Sequence, residues 1–232
     1  MSQTDLEQYR VIRSGRRTLE LRLTADGEVE VRAPWRVPDA EIAAFVASRG
    51  DWLRRARQRL ATRQAPLELA LETGAVHPFR GKPLVLELDC APRASVQLED
   101  GRLLIRAPDL SAAPVAALLQ GWYRQQARHY YDAEIDRHFP WFAERGHARP
   151  VLRVKQMRSR WGSLSARGYI NLSLTLIQLP AECLEYVVVH ELCHLEHMNH
   201  GPGFYRLMTA RLPDWQPRRH LLNHLPRIAL AF

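Results

Sequence analysis

The sequence predicts a mixed α+β fold, in which two β-hairpin and helix repeats precede a smaller C-terminal domain. Residues 18–34 and 84–108 both alternate apolar and polar residues around a turn, and an amphipathic helix pattern follows each. After residue 150 the pattern changes to short strands and then helices. We therefore expect an N-terminal α+β region over 1–150 and a functional domain over 151–232.

Composition limits the classes to which this protein could belong. The chain has 232 residues, of which 46% are hydrophobic, which is enough for a buried core and argues against disorder. No stretch approaches the roughly 18 consecutive apolar residues of a membrane-spanning helix, so no membrane contact is expected. The net charge of +8 permits nucleotide or nucleic-acid contact through a basic surface, although the arginines are spread along the chain.

The cysteine content and the N-terminus bear on the compartment. Three cysteines are few and odd in number, which is typical of reduced thiols rather than of a disulfide framework. The first ten residues contain no apolar core behind a basic start, so they do not resemble a secretory signal. We expect a cytoplasmic protein.

The first repeat is predicted to be a hairpin followed by one helix. Alternating residues over 18–23 and 28–34 flank an Asp26-Gly27 turn, which is a hairpin signal. An apolar stripe at helical spacing then extends to Ala56, with Asp39 as the expected N-cap.

The second repeat has the same pattern. Apolar alternation over 84–88 and 96–98 leads to an Asp100-Gly101 turn and a strand over 103–108, and a helix is expected from about Ser111. Both repeats end their last strand in Arg-Ala-Pro. Residues 63–83, which carry several Pro and Gly residues, are expected to be mostly connection.

The C-terminal region is expected to combine two short strands with helices. Strands are predicted over 151–154 and 169–174, and a helix from Ala181 to about Met198 follows Pro180, which is tolerated at a helix start. Two shorter helices are expected over 202–212 and 218–225.

A His-Glu-x-x-His motif in the predicted helix carries the chemistry. His190 and His194 are four residues apart, so their imidazoles lie on one helix face and can bind one metal ion. Glu191 is one residue further round, close to a water molecule that the ion would hold. Zinc lowers the pKa of such a water toward about 7, and a carboxylate can accept its proton. The motif therefore predicts a zinc hydrolase with Glu191 as general base.

A third ligand is expected beyond the end of the helix. His200 can turn back toward His194 only if the helix stops, and Asn199 and Gly201 favour a stop. Three histidines with an open fourth position are typical of catalytic zinc sites. His197, three residues after His194, is the alternative third ligand, and we favour His200.

The chain resembles the YgjP-like metallopeptidase family, which is related to the SprT-like zinc proteases. The similarity covers nearly the whole chain and is most specific between Arg160 and His200. Its motifs are Ser159-Arg160-Trp161-Gly162-Ser163, Tyr186 to His194, Asn199-His200, Phe204-Tyr205 and Pro213-Asp214-Trp215. Two positions depart from the family pattern: Leu164 stands where Cys is usual, and Ser173 where Asn is usual.

The resemblance implies a zincin-like C-terminal domain, in which the metal-binding helix packs on a small sheet. It also implies that His190, His194 and His200 bind one zinc ion, with Glu191 as the catalytic base. Arg160 is a further candidate, for contact with the substrate or the transition state, because a guanidinium can bind an oxyanion or a carboxylate through two parallel hydrogen bonds. Pairing with a structural acid is the alternative for this residue.

The expected function is a metallopeptidase acting on a peptide or protein substrate. Two alternatives remain open at this point. The first is a metal-dependent pyrophosphohydrolase of nucleoside triphosphates, although the sequence has no Gly-rich phosphate loop of the P-loop type. The second is a nucleic-acid-associated binding protein in which the metal site is secondary.

Overall fold

The structure, a computed structural model, shows the mixed α+β protein that the sequence predicts. It describes residues 9–24, 27–61, 67–157, 160–225 and 228–229. The chain forms two compact units, Met1–Ala65 and Pro66–Phe232, each of which is described separately below. Asp26 of the first predicted turn and Ser159 of the family motif lie outside the described residues.

The first unit is a three-stranded sheet with two helices. Its elements are β1 (Tyr9–Ser14), β2 (Glu20–Leu23), β3 (Val29–Pro34), α1 (Asp39–Ser48) and α2 (Gly50–Ala61). Strand β3 is central, pairing antiparallel with β2 and parallel with β1. The predicted hairpin is thus present as β2 and β3, and β1 is an additional strand that the alternation pattern did not reveal.

The core of this unit is small and follows the two expected periodicities. Every second residue of β3 faces the core, namely Val29, Val31 and Ala33. The helices α1 and α2 add apolar residues at helical spacing, namely Ile42, Val46 and Leu53. The single helix predicted over 39–56 is wrong, because the chain forms two helices that meet at Arg49. The Arg49 N–H bonds the carbonyl of Val46, three residues back, and Gly50 follows with its low helix propensity. Pro38, rather than Asp39, is the N-cap residue.

The second unit contains a four-stranded sheet with the order β5-β6-β8-β7. Its strands are β5 (Val76–Phe79), β6 (Lys82–Cys90), β7 (Ser95–Glu99) and β8 (Arg102–Ala107), preceded by a short strand β4 (Leu67–Glu68). Strands β7 and β8 form the second predicted hairpin. Asp100 and Gly101 have φ values of 43° and 78°, as a tight hairpin turn requires.

The two repeats share one topology. In the second unit β6 is parallel to β8 and β7 is antiparallel to it, which is the arrangement of β1, β3 and β2 in the first. A helix follows the last strand in both cases. The sequence similarity between the two segments therefore reflects a repeated strand-hairpin-helix unit.

Strand β5 lies within residues 63–83, which the sequence predicts to be mostly a connecting segment. Arg80 and Gly81 have φ values of 50° and 76° and form the turn between β5 and β6. Their N–H groups donate to the carbonyls of Ile177 and Gln178. A Cβ atom at Gly81 would lie 3.0 Å from the Cα of Pro180, so glycine permits this close approach. The turn thereby holds in place the residues that precede the helix with the His-Glu-x-x-His motif.

Helix α3 (Ala112–His138) is the central support of the second unit. It begins after Ser111, as predicted, and its buried residues recur every three or four positions from Val115 to Ile135. Tyr131, in its C-terminal third, donates a buried hydrogen bond to the carbonyl of Ser173. Helix α4 (Pro140–Ala143) follows directly.

The remaining elements form the region that carries the motif. A three-stranded sheet with the order β10-β11-β9 comprises β9 (Val151–Lys155), β10 (Gly162–Leu164) and β11 (Tyr169–Ser173). A 3₁₀ helix, Leu174–Gln178, leads to α5 (Ala181–Cys193), and α6 (Pro202–Arg211), α7 (Trp215–His224) and strand β12 (Ile228–Ala229) complete the chain. The expectation that α5 extends to about Met198 is wrong, since the helix ends at Cys193.

The second repeat and the motif region share one hydrophobic core. Helix α3 packs on α5, on the 3₁₀ helix and on β9, and all of these elements contribute to the same core cluster. Both regions belong to the second compact unit, Pro66–Phe232. Residue 150 is not a boundary between compact units, and the division there stays a prediction about where the functional domain begins. Among the described residues, no helix is both long and apolar enough to cross a bilayer.

Thiol reactivity tests this core. Cys90 is exposed, whereas Cys183 and Cys193 are buried, and burial raises their pKa values to about 11 and about 12. Because the thiolate is the reactive form, we expect one thiol of the native protein to react with a chromogenic disulfide at pH 8, and three after denaturation. Cys90→Ser should leave no fast thiol, and a second fast thiol in the native protein would contradict the packing.

Candidate metal centre

Helix α5 places the motif residues at the end of a buried element. Most of its residues between Cys183 and Cys193 are buried, which leaves the helix little freedom to shift. His190 and His194 are half-buried, and Glu191, which follows His190 directly in the sequence, is only 5% exposed. The fold thus holds two imidazoles and a buried carboxylate on one short stretch of helix.

The chain tightens immediately after this stretch. The N–H groups of His194 and Leu195 bond carbonyls three residues back, as in a 3₁₀ turn. The Nδ1 atom of His194 lies 2.9 Å from the carbonyl oxygen of His197. Because a carbonyl can only accept, Nδ1 carries the proton in this contact and Nε2 keeps its lone pair. The turn therefore sets His194 in the tautomer that a metal ligand needs.

The turn also brings His200 back to the helix. Its Nε2 atom lies 3.0 Å from Nε2 of His190. The ring centroids of His190, His194 and His200 are 4.7 to 5.1 Å apart. One potential ligand atom from each of the three lies within 4.8 Å of the others. The three residues named from the sequence thus converge, and their binding of a metal ion stays a prediction.

Phe204 packs against all three imidazoles. Its ring centroid lies 4.9 Å from that of His190, 4.8 Å from that of His194 and 4.7 Å from that of His200. The side chain is 1% exposed and belongs to α6. A single buried aromatic ring therefore limits how far each imidazole can rotate.

Burial favours the neutral form of His190 and His200. It is the main cause that lowers the pKa of His190 to about 3, with smaller contributions from His194, His200 and the Arg219 guanidinium. Burial also lowers the pKa of His200, assisted by His194 and Arg219. Both rings are consequently neutral near pH 7, and a neutral imidazole is the form that binds a metal ion.

Glu191 is buried against strand β10. Burial raises the pKa of its carboxyl to about 7, while a hydrogen bond from the Leu164 N–H and the charge of Arg160 act in the opposite direction. A Cβ atom at Gly162 would lie 2.8 Å from Oε1 of Glu191 and 2.9 Å from Cγ1 of Val187. The glycine thus allows β10 to approach the helix closely enough for Leu164 to hold the carboxylate.

The other candidates from the sequence have different positions. Arg160 is exposed, has no carboxylate partner at ion-pair distance among the described residues, and is near enough for its charge to influence Glu191. Trp161 is partly buried against the main core. His197 is exposed and contributes its carbonyl, rather than its ring, to the cluster. Tyr205 stacks on Trp215.

A second group of potential ligands is an ion-pair network. Nε2 of His138 lies 3.0 Å from Glu134 and 3.2 Å from Glu185. Arg218 also pairs with Glu185, and Arg137 lies 3.7 Å from it. Since two guanidinium groups already neutralise these carboxylates, the network joins α3, α5 and α7 rather than offering a cation site.

Sequence reasoning did not identify three features of the site. Phe204 was visible only as part of the family resemblance, and nothing in the pattern indicated its contact with all three rings. The roles of Gly162 and of the Leu164 N–H depend on how β10 meets α5, which is a tertiary contact. Arg219 gave no signal, because it lies in a helix with several other basic residues.

The donor set fits zinc. Imidazole nitrogen is a preferred zinc ligand, and a tetrahedral site with Zn–N distances of about 2.0–2.1 Å separates its nitrogens by about 3.3–3.4 Å. The 3.0 Å spacing of the His190 and His200 nitrogens is within a few tenths of that value. His200 is exposed, so the cluster is open to solvent on one side, as a catalytic site requires.

Comparisons with known proteins show a matching family and a similar solved structure. A family model described as YgjP-like, metallopeptidase domain, matches residues 17–225. The crystal structure of the metallopeptidase zymogen of Pyrococcus abyssi abylysin is similar at 20% identity and a TM-score of 0.35, over 43% of this chain and 99% of that chain. No curated protein matches the chain.

Substitution of Gly162 tests the contact between β10 and Glu191. In Gly162→Ala the added methyl group would collide with the carboxylate and with Val187, so we expect Glu191 to be displaced and kcat/KM to fall at least tenfold. Metal content, measured by atomic emission, should not change. Gly121→Ala in α3 is the control, because apart from the adjacent backbone of the same helix nothing lies within 4 Å of the added methyl group. Full activity of Gly162→Ala would show that the close contact is unimportant.

Proposed function

Because the chain belongs to the YgjP-like metallopeptidase family, we propose that it is a zinc-dependent peptidase with His190, His194 and His200 as ligands and Glu191 as general base. Membership of the family supports a metal-dependent hydrolase acting on a peptide or protein. The ligand set, the identity of the metal and a zincin-like arrangement of α5 on the small sheet are part of this proposal.

The observation that carries the proposal is the convergence of three imidazoles beside a buried carboxylate. Two of the rings lie at the end of α5, and the third lies in the loop that follows it. All three contact one aromatic residue, Phe204. Glu191 follows directly after the first ligand and is held by a main-chain N–H. If the motif occurred by chance, there would be no reason for the following loop to bring a third histidine back to the helix or for the glutamate to be buried.

The chemistry follows from these groups. A bound zinc ion would acidify a water molecule and polarise a carbonyl group. Glu191 would accept a proton at Oε1 or Oε2 and deliver it to the leaving amine. The Leu164 N–H orients this carboxylate. The buried ring of Phe204 and the helix core keep the ligand imidazoles in place while the substrate binds and leaves.

Strand β10 supports a peptide as the substrate. It is an edge strand, with the order β10-β11-β9, and it contacts Glu191 directly. An edge strand can align an extended peptide through main-chain hydrogen bonds. A peptide so aligned would run past the general base. Arg160, which is exposed just before β10, would then be near the scissile bond and could stabilise an oxyanion there.

Substitution of the site residues separates ligands from the base. We expect Glu191→Gln to keep one equivalent of zinc and to lose at least a hundredfold in kcat, because general base catalysis contributes roughly 10²–10⁴-fold. His200→Ala should lose zinc affinity and activity together. His197→Ala is the matched control, since that ring lies outside the cluster, and it should keep both.

Peptides, a casein-type protein and nucleoside triphosphates would serve as substrates in these assays. If His197→Ala loses zinc while His200→Ala keeps it, the ligand assignment is wrong. Cleavage of nucleoside triphosphates without any cleavage of peptides would refute the peptidase proposal, and the metal-dependent pyrophosphohydrolase would replace it.

Zinc should also stabilise the fold. A ligand that binds only the native state raises the free energy of unfolding by RT ln(1 + [L]/Kd), about 4 kcal/mol at a thousandfold excess over Kd. We expect a chelator to lower the Tm of the wild type and zinc to restore it, measured by differential scanning calorimetry. In His200→Ala the Tm should respond little to either, and an equal response in both proteins would place the metal elsewhere.

A further inference from the structure

A cavity lies directly beside the imidazole cluster. It has a volume of about 280 Å³, and His190 and His200 form part of its wall. The other walls come from α5, α6 and α7, including Tyr186, Trp215 and Arg219. A molecule in this cavity would therefore touch two of the proposed zinc ligands, whereas Glu191 does not line the cavity.

The walls of the cavity combine aromatic surface with one cation. Tyr205 and Trp215 stack with their ring centroids 5.5 Å apart and an interplanar angle of 22°, and Met208 lies beside them. Arg219 is the only lining residue with a permanent charge. Such a wall suits an occupant that is largely apolar and carries one negative group.

Arg219 differs from its neighbour Arg218 in its partners. Arg218 pairs with Glu185 and Asp214 and is largely buried. Arg219 is exposed and, within the described part of the chain, has no carboxylate at ion-pair distance. Its guanidinium is thus free to bind an anion in the cavity through two parallel hydrogen bonds.

The size of the cavity limits the occupant to a small group. Sites for whole small-molecule ligands measure about 300–1,000 Å³, and this cavity lies just below that range. One amino acid residue is of suitable size, whereas a nucleoside triphosphate would extend far outside. A carboxylate is the anionic group that a peptide substrate brings.

We propose that this cavity is a substrate subsite, in which Arg219 binds a carboxylate of the residue next to the scissile bond while Tyr205 and Trp215 contact its apolar part. The inference rests on the proposed peptidase function and adds the substrate class. The carboxylate has two sources, the free C-terminus of a peptide or an acidic side chain, and the experiment separates them.

Binding gives a test that does not depend on turnover. N-acetyl-phenylalanine and its amide would be titrated into the full chain by calorimetry, with zinc and after chelation, because a carboxylate can also bind zinc itself. We expect the acid to bind at least tenfold more tightly than the amide in both forms. In the chelated form, Arg219→Gln should remove this preference, and Arg219→Lys should reduce it, since an ammonium group cannot form the bidentate pair.

Hydrolysis identifies the source of the carboxylate. Matched peptides would differ only in a free or amidated C-terminus, or in an internal Glu or Gln beside the cleaved bond. We expect Arg219→Gln to lower kcat/KM about tenfold for the preferred acidic member of one pair and to leave its neutral partner unchanged. Zinc content should stay at the wild-type level.

Arg206→Gln on α6 is the control, because it removes the same charge from an exposed residue that does not line the cavity. If it has the same effect as Arg219→Gln, or if Arg219→Gln keeps the preference for acids, the subsite is refuted and the peptidase function stands. If the zinc-loaded wild type cleaves none of the peptides, the proposed function itself fails. The binding measurement then still decides whether Arg219 holds a carboxylate.

Discussion

The early end of α5 is the constraint on which the rest of the site depends. A helix continued past Cys193 would rotate a residue six positions after His194 by about 240°, away from the other two rings. Instead the chain tightens through main-chain bonds of His194 and Leu195, and Nε2 of His200 comes to 3.0 Å from that of His190. The same turn supplies the carbonyl that accepts a hydrogen bond from Nδ1 of His194. One local change in the backbone path therefore determines both the position of the His200 ring and the tautomer of His194.

Burial acts in opposite directions on adjacent residues of the helix. It lowers the pKa of His190 to about 3 and raises that of Glu191 to about 7, because desolvation penalises whichever form is charged. The His190 imidazole thereby stays neutral, as metal binding would require, and the Glu191 carboxyl becomes a group that exchanges a proton near neutral pH. A cation at the cluster would favour the ionised form of Glu191, so the metal and the acid are coupled through the same low-polarity surroundings.

Much of this arrangement could be predicted from periodicity and spacing, and the remainder depended on tertiary contacts. The four-residue spacing of His190 and His194 placed them on one helix face, and alternation located both hairpins. The sequence does not predict the break at Arg49 or the end of α5. A periodic apolar pattern does not show where main-chain hydrogen bonds change from a partner four residues back to one three residues back. The Arg80-Gly81 turn lacks the usual Asn or Asp before Gly, and its role depends on Pro180, about a hundred residues later. Phe204 and Arg219 act through contacts between helices, for which sequence spacing gives no signal.

The two sides of the imidazole cluster differ in chemistry, and this difference implies a direction for the substrate. Strand β10 meets α5 at Glu191, through Gly162 and the Leu164 N–H. Helices α6 and α7 meet α5 around the cavity that contains Arg219. The proposed general base, Glu191, therefore lies on α5 where it faces β10, whereas the proposed carboxylate-binding residue, Arg219, lies on the neighbouring helix α7. A substrate that bridges them would place the bond between its anchored residue and the rest of the peptide over the three rings. Both neighbours are fixed by the core that α3 shares with α5, so the second repeat contributes to the site by holding this helix rather than by supplying any of its proposed ligands.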